Sequence, residues 1–236
     1  MKTILYLGDG PVGSAANYLL GILKYSGYQV SHFFNGKLPP STLKKKFSTI
    51  IISDYPRKNI SETVMREIEK HVSRGTGLLM IGGWSSFAGL DGNYYGSVIA
   101  KMLPVFCLSK DDRRNLASGA IFRQTNPHPI LKEIPLKPSP VIIGYNRVIL
   151  KKTGKMILEL KESTSGKKSP LLVVGSYGIG KTAAFATDVA PHWCGGLVDW
   201  GAKRVKIQVA KGIQIEVGDL YVKFLTNLLN WLATEN

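Results

Sequence analysis

The segment Gly77-Leu78-Leu79-Met80-Ile81-Gly82-Gly83-Trp84-Ser85-Ser86 decides the fold that the sequence predicts. Its four apolar residues, 78–81, lie between glycines, which is typical of a strand buried on both faces of a parallel sheet. The glycine pair then ends the strand and begins a loop with aromatic and hydroxyl side chains. Ligands of open α/β sheets bind beyond the carboxyl ends of the strands. The sequence therefore predicts a central strand with a candidate ligand site directly after it.

The chain before this segment alternates between strand and helix patterns. Apolar strands are predicted at residues 3–7, 28–34 and 49–53, and amphipathic helices at residues 14–24 and after the capping residue Ser61. This alternation predicts a doubly wound parallel sheet. The strands that end at Asp9, Asp54 and Gly83 then point the same way, so these residues are expected to share one crevice.

The chain after this segment has a different pattern. A short helix is predicted at residues 93–102, and residues 107–123 are polar and mixed. Period-two strands follow, separated by turns, and an amphipathic helix is predicted at the C-terminal end; these elements cover residues 141–151, 155–161, 170–174, 182–188 and 219–232. Neither an internal repeat nor a linker is visible, so we expect a single domain over residues 1–236.

Composition limits the partners and the compartment. The 31 basic and 16 acidic residues give a net charge of +15, which attracts polyanions. The basic residues are spread along the chain without zinc-finger spacing or an RNA-binding aromatic signature, so a solvated surface is favoured over nucleic-acid binding. No apolar run approaches the ~20 residues of a membrane span. Two cysteines indicate a reducing cytoplasm, and the N-terminal residues indicate a strand and not a signal peptide.

The segment Gly175-Ser-Tyr-Gly-Ile-Gly-Lys-Thr182 matches the phosphate-loop pattern G-x-x-x-x-G-K-[ST]. A phosphate loop requires a helix directly after the lysine, so that the helix N-terminus faces the phosphates. Residues 182–188 are strand-like and soon meet Pro191. We therefore predict a hairpin turn here and expect no nucleotide cofactor.

Three polar residues near predicted strand ends are candidates for chemistry. Asp9 and Asp54 can act as bases, bind cations or cap the following helix. His192, in the segment Asp188-Val-Ala-Pro-His-Trp-Cys194, can act as a general base or a metal ligand, or hydrogen-bond locally within a turn. Cys194 does not form a dyad with His192, because side chains so close in sequence point apart.

Several segments together resemble the glutamine amidotransferase-like family of class I fold, over nearly the whole chain. They are residues 75–87, Gly96, Leu103-Pro-Val105, His128-Pro-Ile-Leu131, Tyr177-Gly-Ile-Gly-Lys181, Ala184 to Trp193 and Val217-Gly-Asp-Leu-Tyr221. The Gly-Lys hairpin is also similar to that of the related ThuA-like proteins. The resemblance implies an α/β, flavodoxin-like, mostly parallel sheet with helices on both faces, to which the second half adds antiparallel hairpins.

The resemblance does not extend to the catalytic thiol. Class I amidotransferases place a nucleophilic cysteine on a sharp turn between a strand and a helix, with a downstream His–Glu pair. Here Gly82-Gly83-Trp84 follows the corresponding strand, and neither Cys107 nor Cys194 takes that place. No His-x-Glu motif follows, and no base can be assigned to Ser85 as a replacement nucleophile. Glutamine hydrolysis by a thiol is therefore not expected.

We predict a cytoplasmic amidotransferase-like protein without the nucleophilic cysteine that binds a small polar ligand or a partner at its strand ends. Asp54 and His192 are the candidate catalytic residues, and the candidate ligand-binding residues are Asp9, Gly82, Gly83, Trp84, Ser85 and Asp188. The backbone amides after Gly82 are expected to hold an anion or oxyanion. No metal or cofactor is assigned.

Two alternatives remain open. One is a hydrolase or isomerase that uses Asp and His for acid–base or metal chemistry in the same crevice, and it requires Asp54 and His192 to converge. The other is a non-specific binder of nucleic acid or an acidic partner. A homo-oligomer is compatible with all of these hypotheses.

Overall fold

The computed structural model describes residues 2–233, which form thirteen strands and five α-helices. The strands are β1 (Thr3–Gly8), β2 (Gln29–Phe33), β3 (Thr49–Ser53), β4 (Gly77–Ile81), β5 (Val105–Cys107), β6 (Arg113–Gln124), β7 (Ile142–Asn146), β8 (Val148–Leu150), β9 (Lys155–Glu162), β10 (Lys168–Tyr177), β11 (Gly180–Phe185), β12 (Arg204–Ala210) and β13 (Ile213–Gly218). The helices are α1 (Ala16–Tyr25), α2 (Glu62–Ser73), α3 (Val98–Met102), α4 (Pro191–Cys194) and α5 (Asp219–Leu232).

A nine-stranded sheet in the order β2-β1-β3-β4-β11-β10-β9-β6-β7 forms the framework. The first five of these strands run parallel, and their register places Gly8 beside Ser53, Ser53 beside Ile81, and Ile81 beside Phe185. The strands β10, β9, β6 and β7 extend the sheet in antiparallel pairs. The predicted flavodoxin-like sheet with added hairpins is confirmed.

The inner parallel strands β1, β3, β4 and β11 are buried on both faces because alternate side chains enter two hydrophobic cores. Tyr6 and Ile81 point to the core covered by α1 and α5. Leu7 and Met80 point to the core covered by α2 and α3. Helices therefore cover both faces, and the strand ends remain the place where polar loops meet.

Local sequence signals account for several elements. The Ser61 hydroxyl accepts a hydrogen bond from the Val64 amide at the start of α2, as the capping pattern predicts. The phosphate-loop-like segment is an antiparallel hairpin, in which Tyr177 pairs with Gly180 and Gly178 has a φ of 59°. The predicted hairpin turn is confirmed, since β11 and not a helix carries Lys181.

The structure differs from the predictions in several segments, and the strand predicted at residues 141–151 is divided into β7 and β8. The helix predicted at residues 93–102 begins only at Val98, because the preceding residues form turns. The polar segment 107–123 contains the long strand β6, which pairs with β7 and β9 but leaves many side chains exposed, so apolar alternation is weak. The hairpin β12–β13 was not predicted, although Ile207, Val209 and Ile215 are buried in the core beneath α1. Within residues 2–233, no helix is both long and apolar enough to cross a bilayer.

Candidate functional site

Four polar segments meet at the carboxyl edge of the parallel strands. Asp9 follows β1, Asp54 follows β3, the glycine pair follows β4, and Asp188 lies three residues after β11. Asp9 and Asp54 have φ values of 59° and 48°, in the left-handed region that aspartate tolerates better than most residues. The backbone therefore turns sharply at the end of each of these two strands, and the structure brings together the strand ends that the sequence predicted to share a crevice.

The glycine pair makes room for Asp54. A Cβ atom on Gly83 would lie 2.1 Å from Asp54 Oδ1, and one on Gly82 would lie 2.3 Å from the carbonyl oxygen of Ala186. Without these side chains the Asp54 carboxylate lies against the end of β4. There its Oδ1 atom accepts a hydrogen bond of 2.7 Å from the Ser85 amide.

Asp188 and His192 form the second half of the site. Asp188 is fully buried, and its Oδ1 atom accepts hydrogen bonds from the amides of Val189 and Ala190. Its Oδ2 atom lies 2.8 Å from Nε2 of His192, whose side chain is 47% exposed. This contact is an ion pair when the imidazole is protonated. The short helix α4 places His192 four residues after Asp188, over the buried carboxylate.

These side chains converge with Asp54. One ligand atom each from Asp54, Asp188 and His192 lies within 4.8 Å of the other two. Asp9 is also buried, with 8% of its surface exposed, and its Oδ2 atom accepts a hydrogen bond from the Tyr6 hydroxyl. Its Oδ1 atom has no hydrogen-bond partner among the described residues. The site therefore combines three carboxylates with one imidazole.

Burial and mutual charge shift the pKa values of the cluster. Burial is the main reason that the pKa of Asp54 rises to about 6; the Ser85 amide opposes this shift, and the charge of Asp188 adds to it. The pKa of Asp9 is well above its ordinary range, first because of burial and then because of the charges of Asp188 and Asp54. The contact with Asp188 raises the pKa of His192, although burial acts in the opposite direction.

The predicted anion-binding role of the amides after Gly82 is wrong for two of these amides. The Gly83 amide donates to Asn146 Oδ1 at 2.8 Å, and the Ser85 amide donates to Asp54. The Trp84 amide also lowers the pKa of the Asp54 carboxylate. The loop binds a carboxylate of its own chain, so these donors are not available to a ligand.

The other two predicted ligand-binding residues are Trp84 and Ser85, and their surroundings differ. The Trp84 ring is 45% exposed, and the guanidinium of Arg113 stacks on it 4.4 Å from the ring centre. Ser85 contributes its backbone amide to Asp54. A ligand role for Trp84 and Ser85 stays a prediction.

Sequence reasoning missed Asn146 and Asp112, which hold the loop in place. Asn146 is fully buried, and its amide nitrogen donates to the Gly83 carbonyl at 3.1 Å and to Asp112 Oδ1 at 2.7 Å. Asp112 also accepts hydrogen bonds of 2.9 Å from the amides of Ala88 and Gly89. Neither residue belongs to a recognisable motif, and only the pairing of distant strands brings them to the loop.

Residues 12–210 match the sequence model of the family described as "Putative glutamine amidotransferase". The chain belongs to this family. Among curated proteins no sequence matches the chain significantly.

The cytoplasmic protein STM1381 of Salmonella typhimurium LT2 is a similar solved structure, with 27% identity, a TM-score of 0.77, and coverage of 98% of this chain and 99% of that one. The cytoplasmic protein STM3548 of Salmonella typhimurium has 24% identity and a TM-score of 0.76 over 98% and 99% of the two chains. A ThuA-like protein of Bacteroides uniformis shares the fold at 13% identity and a TM-score of 0.58, over 98% of this chain and 91% of that one.

Both thiols of this amidotransferase-like chain are buried, and neither lies on the loop that follows β4. Cys107 is the last residue of β5, and burial raises the pKa of its thiol to about 12. Cys194 is the last residue of α4, and burial raises the pKa of its thiol well above the ordinary range. A thiol with a raised pKa is a poor nucleophile, because the thiolate is the reactive form.

Proposed function

We propose that this member of the amidotransferase-like family is a cytoplasmic hydrolase that acts on a small polar substrate without a catalytic thiol. The observation that carries the proposal is the convergence of Asp54, Asp188 and His192 within 4.8 Å at the strand ends. The enzyme hypothesis, which covers a hydrolase or an isomerase, requires Asp54 and His192 to converge, whereas a binding protein does not. We also propose that residues 1–236 form a single domain.

The three side chains have complementary properties. Asp188 is buried and lies against His192, so it can orient the imidazole and stabilise its protonated form. His192 is half exposed and can therefore meet both water and substrate. Asp54 supplies a second carboxylate, fixed in place by the loop amides. Such a carboxylate–imidazole arrangement suits general acid–base catalysis.

The buried thiols support a route that does not use cysteine. The glycine pair takes the place where the family resemblance puts the nucleophile, and its missing side chains accommodate Asp54. The two similar Salmonella proteins are cytoplasmic proteins, which supports the cytoplasmic part of the proposal.

The test is a screen of the full chain against chromogenic amide, ester, glycoside and phosphoester substrates, with ammonia release from glutamine measured in parallel. We expect turnover of at least one substrate class without ammonia release. His192→Ala and Asp54→Asn should each lower kcat by about 10²- to 10⁴-fold.

The matched controls are Cys107→Ala and Cys194→Ala, which should leave kcat unchanged once folding is verified. A glutaminase activity abolished by either cysteine change would contradict the proposal. Turnover that survives both His192→Ala and Asp54→Asn would also contradict it.

A further inference from the structure

The strand-end cluster brings together more carboxyl groups than its own cationic side chains can pair. Asp9, Asp54 and Asp188 bring three carboxylates to one buried place, and in the described part of the chain the cationic side chain in contact with them is His192. The charges of Asp54 and Asp188 both act on Asp9. Buried carboxylates are ordinarily paired with a cation or bound to a metal ion.

Two carboxylate oxygens of the cluster also have few partners. Asp9 Oδ1 is buried and has no hydrogen-bond partner within residues 2–233, and the buried Asp188 Oδ2 contacts His192 Nε2. Most buried polar atoms in proteins are satisfied, so an unsatisfied carboxylate oxygen points to an ion or water at that place. Asp188 Oδ2 faces His192 Nε2, so the two atoms that would bind a cation already lie side by side in the cluster.

The geometry points to a divalent transition-metal cation, such as Mn²⁺ or Zn²⁺, held by Asp54, Asp188 and His192. Ligand atoms about 2.1 Å from a metal ion lie about 3 Å apart at neighbouring positions and about 4 Å apart at opposite ones. Asp188 Oδ2 and His192 Nε2 are separated by 2.8 Å, which suits neighbouring ligands. The three ligand atoms lie within 4.8 Å of one another, so only a small inward movement of the side chains is needed to bind one ion.

The kinds of ligand atom select the metal. One imidazole nitrogen with two carboxylate oxygens favours Mn²⁺, Fe²⁺ or Zn²⁺, whereas Mg²⁺ and Ca²⁺ prefer oxygen alone. Asp9 adds a third carboxylate close to the site. The exposed side of His192 leaves a route for a bound water or a substrate atom.

A bound cation would also supply the stabilisation of an oxyanion that the loop amides cannot supply. The amides of Gly83 and Ser85 are already bonded within the chain, so they do not stabilise a developing oxyanion. A bound divalent cation provides positive charge there and lowers the pKa of its bound water. This catalytic role rests on the proposed function, whereas cation binding does not.

The test is calorimetric titration of the full chain, freed of metal by a chelator, with Mn²⁺ and separately with Zn²⁺. We expect one cation per chain and weaker binding of Mg²⁺. His192→Ala and Asp54→Asn should each weaken the binding at least tenfold. His192 is half exposed, so its replacement should leave the fold intact, as circular dichroism can verify.

The matched controls are His128→Ala, which removes an imidazole stacked edge-on against Trp231, and Asp91→Asn, which removes a surface carboxylate paired with Lys58. Both should bind the cation as the wild type does. Absence of binding, or an affinity that His192→Ala leaves unchanged, would overturn the inference.

The hydrolase proposal and the metal-site proposal can be contradicted independently of each other. Stoichiometric cation binding without turnover of any substrate would contradict the hydrolase and leave the metal site standing. Hydrolysis that persists in chelator, in a chain that binds no cation, would contradict the metal site and leave the hydrolase standing.

Discussion

The position of the Asp54 carboxylate depends on the absence of a side chain at Gly83. We predict that Gly83→Ala moves this carboxylate, because the added Cβ would lie 2.1 Å from Oδ1. Overpacking of this kind costs about 1–3 kcal/mol of unfolding free energy. Cation affinity and hydrolysis should fall together, as titration and kinetics can measure. Gly196→Ala is the control, since its Cβ would meet only ordinary contacts at 3.6 Å.

Asn146 links the loop to the second half of the sheet. We predict that Asn146→Ala lowers the unfolding free energy by about 2–4 kcal/mol, because it leaves the Gly83 amide and the Gly83 carbonyl without their buried Asn146 partner. Urea unfolding measures the loss. Asn17→Ala removes a solvent-exposed hydrogen bond to the Gly13 amide and should change stability by less than about 1 kcal/mol. An equal loss in both variants would contradict the anchoring role.

Among the elements, the hairpin β10–β11 matches the sequence pattern of a nucleotide-binding loop but lacks the helix that such a loop requires. We predict that ATP with Mg²⁺ produces no shift in the melting temperature. The residues after Lys181 continue a strand, so no helix N-terminus faces a phosphate there. A stabilisation of several degrees that Lys181→Ala removes would contradict this reading.

The elements that are predicted well from the sequence have a complete local sequence pattern. The strand β4 has apolar residues between glycines, α2 has its Ser61 cap, and α5 has a broad apolar face over Asp219–Leu232. The strand β6 lacks such a signal, because much of it is exposed and its pairing with β7 is irregular. The hairpin β12–β13 alternates between exposed and buried residues, but its exposed lysine and arginine are equally typical of a solvated surface.

At the scale of the whole molecule, the candidate site joins segments from residue 9 to residue 192. The order of the parallel strands predicts that Asp9, Asp54 and Gly83 share an edge. The sequence could not show that β11 inserts beside β4, which brings Asp188 and His192 to the same edge. It also could not show that Asn146 arrives from β7 at the far end of the sheet order. Long-range strand pairing assembles the site.

The most direct test of this account is an anomalous difference map from a crystal of the full chain grown with Mn²⁺, recorded near the manganese absorption edge. The account predicts one strong peak within bonding distance of Asp54, Asp188 and His192, at the carboxyl edge of the parallel strands. The absence of a peak there, or a peak only elsewhere on the molecule, would contradict it.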